Sequence, residues 1–167
     1  MTEKPKAFAH TPRFYAHFGW FYATWTAVDL DVDLAICKCL KITPEQTHAL
    51  VAGLEFGRKV ALLRSLLPAS NYKNVEQIKG YLTRISKESL RNVFTHSFIV
   101  SDHESVHFIH RSSQGQYSAT GYKFTPDNFC KHIKDFVQLG ESFEKALALS
   151  PKEIGDFAAA AVKKKSA

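Results

Sequence analysis

Six consecutive residues, Arg91-Asn92-Val93-Phe94-Thr95-His96, bring together a guanidinium, an amide, a hydroxyl and an imidazole. An arginine is permanently cationic, and its planar fork matches two oxygens of a phosphate. A histidine with an ordinary pKa near 6.5 takes or gives a proton close to neutral pH. Together they suit cleavage of a phosphodiester that carries a neighbouring 2′-hydroxyl. That reaction needs a base for the hydroxyl, an acid for the leaving oxygen and positive charge at the developing dianion. None of these tasks requires a metal. One chain supplies one such histidine, so a two-histidine arrangement needs a second, symmetry-related copy. Taken as bare spacing, the same residues also make an ordinary polar helix face, with His96 complementing the C-terminal dipole.

The surrounding pattern sets where these groups stand. An apolar period through Val75, Ile78, Leu82, Ile85 and Val93 predicts a helix from about Asn74 to Ser97, the third in the chain. At 100° per residue Arg91 and His96 lie about 140° apart on it, with Glu88, Asn92 and Thr95 in the arc between. Glu88 is then placed to pair with Arg91 or Asn92. Before this helix, Trp20, Ala23, Ala27, Leu30, Leu34 and Cys37 mark one stripe of a long first helix between Pro12 and Leu40. Thr43-Pro44-Glu45-Gln46 is a capping-box start for a second helix that runs to about Leu67 with Leu50, Leu54, Val60 and Leu63 inward. After Ser97 the period changes. Val106–Ile109 and Tyr117–Phe124 are β-rich, and Ser112–Gly115 reads as their turn. Thr125-Pro126-Asp127 starts a fourth helix with Phe129, Ile133, Phe136, Leu139 and Phe143 as its stripe, and Ser150-Pro151-Lys152-Glu153 starts a short last one.

The expected fold is therefore mainly α, a four-helix up-down bundle with a β-hairpin (about 98–125) between helices three and four and a short C-terminal helix. One body spans 13–150, after a flexible stretch 1–12 and before a short helix and basic tail at 151–167.

The segment Leu90–Ser97, in this setting, resembles the hallmark of HEPN domains: an arginine, a polar residue, a few variable positions and a histidine. The likeness covers roughly Phe14 to Leu149, mostly as helix order. It implies a homodimer whose two motifs meet across the interface, and active members that are metal-independent endoribonucleases, often toxins or defence effectors. On that resemblance Arg91 and His96 are catalytic and Asn92 supports them; Glu88 and Thr95, in the arc between them, are supporting candidates from the helix geometry. The implied partners are a second copy, RNA, and an antitoxin or nucleotidyltransferase; no cofactor and no metal are implied. Many proteins with this fold are instead non-catalytic dimeric modules that bind a protein, a nucleotide or RNA.

Composition agrees with a globular chain: 167 residues, 45% hydrophobic and 23% charged. The net charge of +6 and pI near 9.2 tilt the partners toward polyanions. Cys37, Cys39 and Cys130 read as reduced thiols, and the absence of an apolar leader or a membrane-length run points to a cytoplasmic protein without membrane contact. Asp29, Asp31 and Asp33 read as solvated or interface acids, since Asp31 points away from the other two on a helix. His103, His107 and His110 form an imidazole cluster, open to a metal or RNA-rim reading beside Arg111 and Lys123. Six aromatics within Phe14–Tyr22 exceed one helical stripe, so some face a partner. Gly53, Gly57 and Gly80 suggest close helix packing.

Overall fold

The computed structural model describes residues 7–112 and 118–162. Over that range the chain is mainly helical, with a small three-stranded antiparallel sheet. The helices are α1 (Pro12–Leu40), α2 (Pro44–Val51), α3 (Phe56–Leu66), α4 (Val75–Glu88), α5 (Arg91–His96), α6 (Pro126–Leu147) and α7 (Pro151–Ala161). The strands are β1 (Ser97–Ser101), β2 (Val106–Ser112) and β3 (Ser118–Phe124), in the order β1-β2-β3. The expected turn at 113–115, Tyr117 and the lysine tail lie outside the described residues. No described helix is long and apolar enough to cross a membrane.

Contacts divide the chain into two compact units, 1–24 with 87–138 and 25–86 with 139–167, where the sequence suggests a single body over 13–150. The division is possible because α1 and α6 are long enough to supply residues to both.

The first unit has an aromatic core. Phe14, Phe21, Phe94, Phe108 and Phe129 are buried, and Phe14 stacks on Phe129 at 5.0 Å between centroids. Such offset and edge pairs add to the hydrophobic term from burying the rings. Of the stretch 1–12 expected to be flexible, the described part before α1 is held: Phe8–His10 form a 3-10 turn, Phe8 and Ala9 are buried, and the Phe8 amide donates to the Asp102 carbonyl at 2.6 Å. β2 pairs with β1 and with β3, so the predicted hairpin exists but gains β1 as a third strand. The apolar run Phe98-Ile99-Val100, inside the span expected for the hairpin (about 98–125), forms β1.

The second unit holds α2, α3, α4, α7 and parts of α1 and α6. Its core includes Val28, Val32, Leu63, Leu67, Ile78, Leu82, Ile85, Phe143 and Phe157. The Thr43–Gln46 and Ser150–Glu153 capping boxes both form and start α2 and α7. The predicted second helix is broken: Ala52–Glu55 separate α2 from α3, which shifts the helical phase and leaves Leu50 exposed. The inward stripe of α1 keeps the expected Leu34 and Cys37, with Leu30 half-buried, but differs in its first half. Trp20, Ala23 and Ala27 are exposed, and Phe14, Phe21, Trp25, Val28, Val32 and Ala35 are buried at alternating steps of seven, four and three. The large aromatics set the phase of this helix, because burying a ring removes far more apolar area than burying an alanine. Glycines 53, 57 and 80 do not mark close packing, since a Cβ at any of them would meet nothing within 4 Å.

Asp31 and Asp33, expected as solvated or interface acids, are buried within the chain at 4% and 7% exposure. Asp29 and Asp33 share the buried Lys59 ammonium at 3.0 and 2.9 Å, which compensates the burial of Asp33. Hydrogen bonds and charge from both carboxylates outweigh desolvation and hold Lys59 above the usual lysine range. Asp31 points elsewhere, as the helical spacing required. Burial, then repulsion from Glu144, pushes its carboxyl up to about 7.

Candidate functional site

The predicted third helix does not continue through the motif. α4 stops at Glu88, and Leu90 adopts left-handed backbone geometry (φ 50°, ψ 27°) before α5 begins at Arg91. A leucine in that conformation costs about 1–2 kcal/mol locally. Buried Val93 and Phe94 stand against that cost from the next turn. The Phe94 ring lies 4.8 Å from Phe108, 4.9 Å from Phe21 and 6.0 Å from Phe129. The two apolar residues inside the motif thus root it in the aromatic core of the first unit.

Within α5 the expected arc is kept. Arg91 and Thr95 are half-buried, Asn92 and His96 are exposed, and Val93 and Phe94 occupy the buried side. Arg91 Nη1 donates to Asn92 Oδ1 at 3.1 Å, and Thr95 Oγ1 donates to the Arg91 carbonyl at 2.8 Å. The amide oxygen therefore orients the guanidinium, and the threonine closes the short helix on itself. The Arg91 amide reaches Ser89 Oγ at 3.4 Å, in the residue pair that separates α4 from α5. Glu88 ends α4 and is separated from α5 by Ser89 and the left-handed Leu90, so it precedes the motif's helix and does not continue it.

His96 is the last residue of α5, and Ser97 opens β1. Ser97 is registered against His110 in β2, which places a second imidazole on the strand beside the motif's end. The imidazole cluster expected around 103–110 does not converge. His103 stands in the β1–β2 turn, 3.5 Å from Glu104, and His107 Nε2 pairs with Ser105 Oγ at 3.0 Å. His107 and His110 lie on opposite faces of β2, as an odd spacing in a strand requires. Among the described residues no three His, Cys, Asp or Glu side chains are grouped to hold a metal ion. Asp102 instead caps its turn, accepting from the Glu104 and Ser105 amides at 2.8 and 2.7 Å. Those bonds hold its carboxyl below the usual carboxylate range.

The outward face of the sheet is mixed in character. Phe98 and Val100 are exposed, and the Arg111 guanidinium sits 4.0 Å over the Phe98 ring. Lys123 is registered against His107 on the same face. On α1 of the same unit, Tyr15, Trp20 and Tyr22 are exposed while Phe14 and Phe21 are buried, so the aromatic run divides between core and surface.

One neighbour of the motif escaped the sequence reading. His132, on α6, lies 5.6 Å from the Phe94 ring and 5.7 Å from Phe124. Burial lowers its pKa, against opposing effects from Asp135, the Ser89 backbone and Glu88. The only sequence signal was an imidazole on the otherwise apolar stripe between Phe129 and Phe136.

Against this geometry, comparison with known proteins adds nothing: no family model, no curated protein and no solved structure matches the chain.

Proposed function

We propose that the chain is a metal-independent endoribonuclease that acts as a homodimer on a HEPN-like helical bundle, in the manner of a toxin or defence effector. One observation carries the reading: Arg91, Asn92, Thr95 and His96 share the outer side of α5, while Val93 and Phe94 anchor its inner side. His96 moves the proton, as base toward the 2′-hydroxyl or as acid toward the leaving oxygen. Arg91 holds the non-bridging oxygens as charge develops on them. Asn92 keeps the guanidinium aimed through its 3.1 Å bond. A second copy supplies the other histidine. The net charge of +6 favours a polyanionic substrate.

The test is incubation of the purified protein with mixed RNA in EDTA, beside His96→Ala and Arg91→Ala. Cleavage by the wild type and its loss in both variants supports the reading. An inert wild type, or variants that cleave equally well, would overturn it.

A second reading, a non-catalytic dimeric module that binds a protein, a nucleotide or RNA, draws on the exposed Tyr15, Trp20 and Tyr22 of α1, since aromatics are enriched at protein interfaces. It calls for a stable dimer in light scattering together with blank cleavage assays.

A further inference from the structure

A cavity of about 490 Å³ opens in the second unit, between the end of α1, the segment 69–74 and the end of α6. That volume is typical of small-molecule sites. Four of its lining residues are lysines (Lys38, Lys41, Lys73 and Lys145), and none of the lining residues is acidic. Lys38 is engaged by Glu153 at 2.9 Å, and that carboxylate also caps α7 through Ser150. Among the described residues no carboxylate pairs with Lys41, Lys73 or Lys145.

Helix dipoles explain only part of this charge. Lys38, Lys41 and Lys145 stand at the C-terminal ends of α1 and α6, where a cation is favourable. Lys73 has the opposite placement. It precedes α4 by two residues, beside an N-terminus whose partial positive charge disfavours a second cation. An anion there would answer both the lysine and the helix end. Tyr72 lines the same cavity, and its hydroxyl is buried with no hydrogen-bond partner. A buried hydroxyl left unbonded is costly, and burial pushes this phenol well above its ordinary range, which keeps its proton available for donation.

We propose that this cavity binds a phosphorylated small molecule of nucleotide size, its phosphate oxygens held by Lys41, Lys73 and Lys145 and bonded by Tyr72 Oη. The site belongs to the second unit and does not depend on the ribonuclease reading.

Isothermal titration of the full chain with ATP, with inorganic phosphate and with adenosine tests it. ATP is expected to bind most tightly, phosphate more weakly, and adenosine without measurable heat. The double variant Lys73→Glu/Lys145→Glu is expected to weaken ATP binding roughly tenfold or more. Arg91→Ala is expected to leave ATP binding unchanged. The proposal is overturned if neither ATP nor phosphate gives saturable heat, or if adenosine binds as well as ATP. It also fails if Arg91→Ala abolishes ATP binding, or if the folded double variant binds ATP like the wild type. Should that variant not fold, Tyr72→Phe and Lys41→Ser carry the same test, and unchanged ATP affinity in both would overturn the proposal.

Discussion

The ring of Phe94 stands 4.8 Å from that of Phe108, joining the middle of the polar motif to the central strand of the sheet. The polar residues of α5 are held in place through this apolar contact, because a six-residue helix has little stability of its own. Phe94→Ala is expected to destabilise the protein by about 3–5 kcal/mol, with Phe94→Leu costing less. Chemical denaturation reads the loss. A cost under about 1 kcal/mol for the alanine variant would show that the motif is positioned by something else.

Asn92 offers a finer test of the proposed chemistry. Asn92→Ala removes the acceptor of the 3.1 Å bond from Arg91 but leaves both proposed catalytic groups in place. Its RNA-cleavage rate should fall roughly 10- to 100-fold, while Asn92→Asp, which retains an acceptor, keeps more activity. Equal rates for the alanine and aspartate variants would remove Asn92 from the mechanism.

Asp31 predicts a pH dependence of stability. Its carboxyl titrates near 7 in the folded chain, far above its ordinary value near 3.8. Between those two values the folded state binds the proton that the unfolded state has released, so this group lowers stability as pH rises from about 4 to 7. Asp31→Asn removes that penalty. It is expected to raise the unfolding free energy by between about 1 and 4 kcal/mol at pH 8 and to change it little at pH 4. Thermal melts at the two pH values decide it, and an equal shift at both would refute the assignment.

Lys59 is 6% exposed and joins two carboxylates. Lys59→Met leaves the buried Asp33 without its counter-charge and is expected to cost about 3–5 kcal/mol near neutral pH. Replacing all three charges, as Asp29→Asn/Asp33→Asn/Lys59→Met, should recover most of the loss. If the triple variant is no more stable than the single one, the cost lies in packing around the lysine stem.

Gly80 lies inside α4 with open space where a Cβ would stand. Gly80→Ala is expected to stabilise the fold by about 0.5–1 kcal/mol by narrowing the unfolded ensemble and favouring the helix. A lower denaturation midpoint would mean that the position has a role that its surroundings do not reveal.

Much of the helical framework was legible in the chain itself. The bounds of α1, the two capping boxes and the inward stripe of α6 follow from interactions within four residues, and the structure keeps them. So does the division of α5 into a polar and an apolar side, which is fixed by helical geometry once the helix exists. The break before α5 is different. Leu90 carries no glycine or proline signal, and its left-handed geometry is locally unfavourable, so packing around Val93 and Phe94 has to stand against that cost. The phase of α1, the strand β1, the Lys59 triad and the lysine-lined cavity likewise depend on residues far apart in sequence. The order of residue types thus determined which groups could do chemistry. Which of them share a surface was decided only by tertiary structure, because burial and charge pairing act between segments whose separation no local pattern records.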